Sequence, residues 1–113
     1  MLWQIHGNTK DLPLRFSASG DNTLIAAPSG TNMMVHGLAL IPSGDVTAKI
    51  FLGARSVADF DLKANMTFSM SDIPGMDGQG FYECKTGEAF IINLSAAVSV
   101  TGLVKYSYID TTI

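Results

Sequence analysis

Charged residues are scarce in this sequence of 113 residues. Aspartate, glutamate, lysine and arginine make up 15% of the chain and apolar residues 47%, whereas about a quarter of a typical soluble domain is charged. The seven lysine and arginine residues are scattered and the net charge is −3, so no basic patch is available to neutralise phosphates. We therefore expect no direct nucleic-acid partner, and we expect a subunit interface to cover part of the surface.

Cysteine occurs only once, at Cys84, which excludes an intrachain disulfide. This residue lies between Glu83 and Lys85 in an alternating stretch, which favours a buried apolar residue over a nucleophile. No apolar run approaches the ~20 residues of a membrane-spanning helix, and the first ten residues lack the apolar core of a signal peptide. We expect no membrane partner.

The motifs of common catalytic and cofactor sites are also missing. The sequence contains no Gly-x-Ser-x-Gly motif, no phosphate-binding Gly-x-x-x-x-Gly-Lys-Ser/Thr loop and no Cys-x-x-Cys pair. His6 and His36 are far apart and have no acidic or cysteine partner at metal-ligand spacing. Asp59 and Asp61 point the same way along a strand, which is typical of a charged sheet edge, with a shared cation as the alternative. We predict no enzyme, no cofactor and no metal.

The sequence does contain apolar–polar alternation with a period of two residues, interrupted by glycine, proline, asparagine and aspartate. Strands recur every eight to twelve residues or so, which is typical of an antiparallel all-β sandwich or barrel. No stretch longer than a turn has the 3.6-residue period of a helix. The predicted strands are Leu2–His6, Leu12–Ser17, Thr23–Ala27, Met33–Ile41, Val46–Leu52, Ser56–Leu62, Met66–Ser71, Gly80–Lys85, Ala89–Leu94 and Val98–Ile109.

Two of these stretches make a more specific prediction. Strict alternation in Phe90–Leu94 and in Val98–Tyr108, joined by small residues, predicts a C-terminal β-hairpin. Met33–Ile41 is apolar on both faces except at His36, which predicts a strand covered on both sides. One face would meet the core, and the other would meet an N-terminal arm or a neighbouring subunit.

The length predicts a single domain. Within it we expect residues 1–20 to form an N-terminal arm with strands, and residues 21–113 to form the β-sandwich. The arm holds Trp3, the only tryptophan, and docks either on its own sandwich or on a neighbour. The glycine-rich stretch Ser71–Gly80 predicts an exposed functional or interfacial loop, with a plain connector as the alternative.

Several stretches of the sequence resemble a known family. They are Asn22–Gly30, Met33–Leu40 and Gly80–Tyr106. The most specific motifs are Gly87-Glu88-Ala89 and Asn93–Val98. They resemble the small β-sandwich structural proteins of tailed bacteriophages, many of which decorate or cement the head. The resemblance implies a jelly-roll-like sandwich of about 8–10 strands, commonly a homotrimer, that binds a protein lattice and does no chemistry.

The sequence therefore predicts a noncatalytic virion protein, a capsid decoration or cement protein that binds and stabilises the assembled head. Its partners would be further copies of itself in a homotrimer and the major capsid protein lattice. It would lie on the capsid surface after synthesis in the host bacterial cytoplasm. The candidate subunit or capsid interface residues are Leu2, Trp3, Ile5, His36, Ile73, Pro74 and Met76.

The alternative function is a carbohydrate-binding or adhesin module of a tail fibre or baseplate. Sugar sites favour an aromatic platform with polar groups beside it. The tryptophan and tyrosine candidates for such a platform are Trp3, Tyr82, Tyr106 and Tyr108.

Overall fold

The computed structural model describes residues 9–71 and 82–109. These ranges contain β-strands and no helix, and therefore no helix long and apolar enough to cross a membrane. The all-β prediction is confirmed, and the predicted strand ends agree with the observed ones to within three residues. The predicted strand Leu2–His6 lies outside the described residues. The strands are β1 (Lys10–Phe16), β2 (Gly20–Ile25), β3 (Asn32–Pro42), β4 (Val46–Leu52), β5 (Arg55–Leu62), β6 (Phe68–Ser71), β7 (Tyr82–Cys84), β8 (Phe90–Leu94) and β9 (Val100–Ile109).

The strands form two antiparallel sheets. The front sheet has the order β1-β9-β3-β6, with β7 also paired to β3, and the back sheet has the order β2-β8-β4-β5. The pairs are nested, because β1 pairs with β9, β2 with β8, β3 with β6 and β7, and β4 with β5. One long hairpin rolled up around its β4–β5 tip gives this arrangement, which is a jelly roll. The jelly-roll-like sandwich is therefore confirmed.

The core lies between the sheets and follows the alternation in the sequence. In β4, for example, Val46, Ala48, Ile50 and Leu52 are buried while Lys49 is exposed, because successive side chains of a strand point to opposite faces. Eighteen described apolar residues are buried in this core. The largest fully buried side chains include Phe90, Met33, Leu40, Ile50, Leu62, Ile92 and Leu94.

The two long sides of the sandwich are built differently. On one side, Phe60 of β5 stacks on Phe68 of β6, with ring centroids 4.1 Å apart and an interplanar angle of 7°. This stack joins an edge strand of the back sheet to one of the front sheet. On the opposite side the edge strands are β1 and β2, and there a groove opens between the sheets.

The predicted C-terminal hairpin is wrong. Strand β8 pairs with β2 and β4 in the back sheet, whereas β9 pairs with β1 and β3 in the front sheet. The connection between them crosses the end of the sandwich, where the amide of Ser95 donates to the carbonyl of Thr47. Alternation shows which side chains share a face, and it does not show which strand lies alongside.

The predicted faces of β3 are wrong beyond His36. The register with β9 shifts between Val35 and Gly37, so His36 is the extra residue of a β-bulge and the side chains after it change face. Leu38 and Leu40 therefore join Met33 and Val35 in the core.

The segment Lys10–Phe16 belongs to the sandwich, because it pairs with β9 along its whole length. Residues 1–8 lie outside the described part of the chain. The division into an arm at 1–20 and a sandwich at 21–113 stays a prediction.

Candidate assembly surfaces

Most of the predicted interface residues fall outside the described part of the chain. They are Leu2, Trp3, Ile5, Ile73, Pro74 and Met76, in segments 1–8 and 72–81. The structure describes His36, which is 5% exposed, with its Nε2 2.7 Å from the Oγ of the fully buried Ser107. This pair links β3 to β9, and a serine without exposure cannot meet a substrate. An interface role for His36 stays a prediction.

The outer face of the front sheet carries an exposed apolar patch. Ile41 and Leu103 are 43% and 41% exposed, and because Leu103 pairs with Ala39 across β3 and β9, they are diagonal neighbours. Leu103 lines a shallow groove of about 180 Å³ together with the small residues Gly37, Ala39 and Ser69 and the larger Leu38, Met70 and Lys105. We call Gly37, Ala39, Ile41, Ser69 and Leu103 the front patch. Neighbouring apolar side chains on an open sheet face are typical of a protein-binding surface.

The outer face of the back sheet is charged instead. Asp59 and Asp61 are exposed on β5, an edge strand, which confirms the predicted charged edge. Asp59 lies opposite Lys49, and Asp61 accepts a hydrogen bond of 3.1 Å from Thr47. Within the described ranges, no group of three or more histidine, cysteine or acidic residues could hold a metal ion. Of the large apolar side chains that are exposed in the described ranges, Ile41, Leu103 and Tyr108 lie on strands of the front sheet, and Met66 lies in the connection before β6.

A groove with a volume of about 630 Å³ opens between β1 and β2. We call it the side groove. The rings of Tyr106 and Tyr108 are packed edge to face, with centroids 5.8 Å apart and planes at 90°. Burial raises the pKa of Tyr106. Its lining residues are Leu12, Leu24, Ile25, Ala26, Ala27, Pro28, Ser29, Thr31, Tyr106 and Tyr108.

The aromatic residues predicted for a sugar platform are only partly brought together. Tyr106 and Tyr108 share the side groove. Tyr82 is two strands away, because Val35 of β3 lies between it and Tyr106. Trp3 lies outside the described residues.

The motif Gly87-Glu88-Ala89 builds the turn before β8. Glu88 accepts two hydrogen bonds from Arg55, at 2.7 and 2.8 Å, and one of 2.9 Å from the amide of Lys85. The Arg55 guanidinium holds the pKa of Glu88 below its ordinary value. Gly87 has a φ of 89°, a left-handed conformation that favours glycine. The amide of Gly87 also donates to the carbonyl of Pro28, so this turn is linked to the connections between β2 and β3 and between β4 and β5.

Cys84 is a core residue, as the sequence predicts. It has no exposed surface, and burial raises the pKa of its thiol to about 12. A protonated, buried thiol is neither a nucleophile nor a site for cross-linking.

The front patch is not among the surfaces predicted from the sequence. Leu103 was the available signal, since it is an apolar residue on the face of β9 that otherwise carries Thr101 and Lys105. The side groove gave no signal, because its walls come from residues such as Leu24 and Tyr106 that are far apart in the chain.

Comparison with known proteins gives a likeness of fold. No protein-family model matches the sequence, and no curated protein sequence is significantly similar to it. A chain from Bacillus endospore appendages, which form disulfide-linked pili, is similar in structure, with a TM-score of 0.55 and 12% identity. The match covers 90% of this chain and 86% of the pilus chain, and it supports the fold alone.

Two viral chains are similar to a lower degree. One is from the virus-like particle of the extra small virus of the giant freshwater prawn Macrobrachium rosenbergii, with a TM-score of 0.43, 20% identity and coverage of 88% of this chain and 77% of that one. The other is from infectious bursal disease virus, with a TM-score of 0.40 and 19% identity. That match covers 90% of this chain but only 32% of the viral chain. Neither likeness supports a further conclusion.

Proposed function

We propose that this chain is a noncatalytic structural protein of a bacteriophage virion, a capsid decoration or cement protein that binds and stabilises the assembled head as a homotrimer. The observation that carries the proposal is the front patch. Ile41 and Leu103 remain more than two-fifths exposed on a protomer whose core is already closed by two sheets. The resemblance at Gly87-Glu88-Ala89 and Asn93–Val98 supports the virion assignment, and a pilus chain with the same fold is consistent with a role in assemblies.

The patch is worth a modest contact energy in each copy. Fully burying a leucine or isoleucine contributes about 1.5–3 kcal/mol, so covering the exposed two-fifths of Ile41 and of Leu103 contributes roughly 1 kcal/mol each. Such a contact is weak alone. A trimer presents the patch three times to one lattice, and linked weak contacts bind far more tightly than single ones.

Stabilisation of the head then follows from mass action. A protein that binds only the assembled lattice stabilises it by RT ln(1 + [L]/Kd) per site, which is about 2.7 kcal/mol at a hundredfold excess over Kd. These contacts would be noncovalent, because the single cysteine of the sequence is buried.

The test is co-sedimentation with heads of the encoding phage that lack this protein, together with light scattering. We expect the wild-type protein to sediment with the heads and to have about three times the 12.0 kDa mass of one chain. Leu103→Lys, which places a charge in the patch, should reduce head binding at least tenfold. Thr23→Lys is the matched control, because Thr23 is exposed on the back sheet. A monomer that does not sediment with heads would contradict the proposal.

The second candidate function is glycan binding. The observation that favours it is the side groove, where Tyr106 and Tyr108 lie beside the hydroxyls of Ser29 and Thr31. Binding to a host-glycan panel that Tyr108→Ala abolishes and Leu103→Lys preserves would support this function over the first.

A further inference from the structure

Strand β1 places a lysine at the rim of the side groove. Lys10 lies two residues before Leu12 and directly opposite Tyr106, and both of these residues line the groove. We propose that the side groove binds a sugar that carries a carboxylate, such as a uronic or sialic acid, and that the ammonium group of Lys10 pairs with this carboxylate. The inference rests on the second candidate function, glycan binding, and names the class of glycan.

The position of Lys10 follows from the alternation of β1. Side chains two residues apart in a strand share a face. Leu14 and Phe16 belong to the core, and Leu12 lines the groove. Lys10 is the next residue of this row and is exposed. Directly opposed residues of an antiparallel pair lie on one face, with Cβ atoms about 4.5–5.5 Å apart, so Lys10 lies beside Tyr106.

Lys10 gives the rim of the groove a positive charge. The other charged residues in the described parts of β1, β2 and β9 lie on the outer faces of the sheets, where Asp11 pairs with Lys105 at 3.9 Å and Asp21 accepts a hydrogen bond from Asn93. Lys10 makes no ion pair with a described residue. One ammonium group matches one carboxylate, whereas a phosphate ester carries a charge of about −1.5 to −2 at neutral pH.

The hydroxyls of Ser29 and Thr31 are available to the hydroxyl groups of a sugar. Within the described ranges, neither of these side chains makes a hydrogen bond. The segment that carries them is held in place, because the carbonyls of Pro28 and Thr31 accept hydrogen bonds from the amide of Gly87 and the hydroxyl of Thr86. Groups that are ordered before the ligand arrives cost less to order on binding.

The tyrosines supply apolar surface for the sugar ring. Tyr106 and Tyr108 are packed edge to face, and Tyr108 remains 39% exposed. Sites for small molecules combine apolar and aromatic walls with a few polar groups that fix the orientation of the ligand, in volumes of about 300–1,000 Å³. The side groove, at about 630 Å³, has this size and this combination of groups.

The test compares acidic oligosaccharides with their methyl esters, which keep the sugar rings and lose the charge. Galacturonic acid and sialic acid oligosaccharides are titrated into the protein at low salt, and binding is followed by calorimetry. We expect an acid to bind about fivefold more tightly than its ester, which is the upper range for an exposed ion pair. Added salt should reduce this difference.

Two matched variants test the role of the lysine. Lys10→Gln should remove the preference for the acid and leave the affinity for the ester unchanged. Lys105→Gln is the control, because Lys105 is an exposed lysine that faces Asp11 on the outer side of the same sheet, and it should keep the full preference. Tyr108→Ala should weaken the binding of both the acid and the ester.

Three results would overturn the inference. Equal affinities for acid and ester, both lost in Tyr108→Ala, would leave glycan binding in place and exclude the acidic class. A preference for the acid that persists in Lys10→Gln would show that another group binds the carboxylate. If neither acid nor ester binds, the inference fails, and glycan binding fails with it only if the neutral glycans of the host panel do not bind either.

Discussion

The backbone contact at Gly102 gives the sharpest prediction about the fold. Gly102 lies in β9 between Leu40 of β3 and Leu14 of β1. A Cβ atom added to it would overlap the carbonyl oxygen of Ala39 and lie 3.2 Å from the Cα of Leu40. These are backbone atoms of the neighbouring strand, so relief requires β3 and β9 to separate locally. Overpacking costs about 1–3 kcal/mol, and each ladder hydrogen bond lost costs about 0.5–1.5 kcal/mol more.

We therefore expect Gly102→Ala to lower the free energy of unfolding by about 3 kcal/mol. The matched control is Gly37→Ala in β3. A Cβ atom at Gly37 would meet the Lys105 side chain at 3.7 Å, an ordinary contact, and replacing a strand glycine by alanine recovers roughly 0.5–1 kcal/mol. The two variants thus differ in sign.

The assay is urea unfolding followed by far-ultraviolet circular dichroism. The slope of the free energy of unfolding against urea concentration should be the same in the variants and the wild type. The melting temperature should fall by roughly 12 °C for Gly102→Ala, at about 4 °C per kcal/mol for a domain of this size. If the free energy of unfolding of Gly102→Ala lies within about 1 kcal/mol of the wild-type value, the close approach of β9 to Ala39 does not exclude a side chain at this position, and the reasoning is refuted.

Two further predictions concern single side chains. Glu88→Gln should destabilise the protein at neutral pH, since the lowered pKa of Glu88 means that its stabilising effect is present above the ordinary pKa of a glutamate and is lost as the pH falls through the folded value. Urea titrations should therefore show that the difference in the free energy of unfolding between Glu88→Gln and the wild type becomes smaller below about pH 4. A difference that stays constant with pH would contradict the role of the charge. Cys84 should not react with a thiol reagent at pH 8 in the native protein, because its thiol is buried with a pKa of about 12, and should react fully in urea; rapid native reaction would contradict the burial.

The sequence specifies strands well and their neighbours poorly. Period-two alternation located β4 without error because half of its side chains face the core. The same signal could not place β8 and β9 in different sheets, since a tight hairpin and a crossing between sheets both preserve alternation. The bulge at His36 was hidden as well, because an apolar run such as Met33–Ile41 shows no break in pattern when its faces exchange.

The candidate surfaces were harder to predict than the fold. Exposure of Ile41 and Leu103 depends on which face of β3 and β9 points outward, and that follows from the bulge and the pairing. The charged edge at Asp59 and Asp61 was predicted correctly because two like charges on one strand face need water whatever the topology.

The nested pairing of the jelly roll determines when the chain can fold. The first described strand has its partner in the last described one, with Lys10 opposite Tyr106, so the front sheet cannot close on a ribosome until β9 has emerged. Pairing between strands that are so far apart in the sequence makes folding slow, in the range of milliseconds to seconds for all-β domains. During that interval the apolar strands, including β3, are open to other chains. The yield of folded protein in the cell should therefore depend on the rate of synthesis and on temperature.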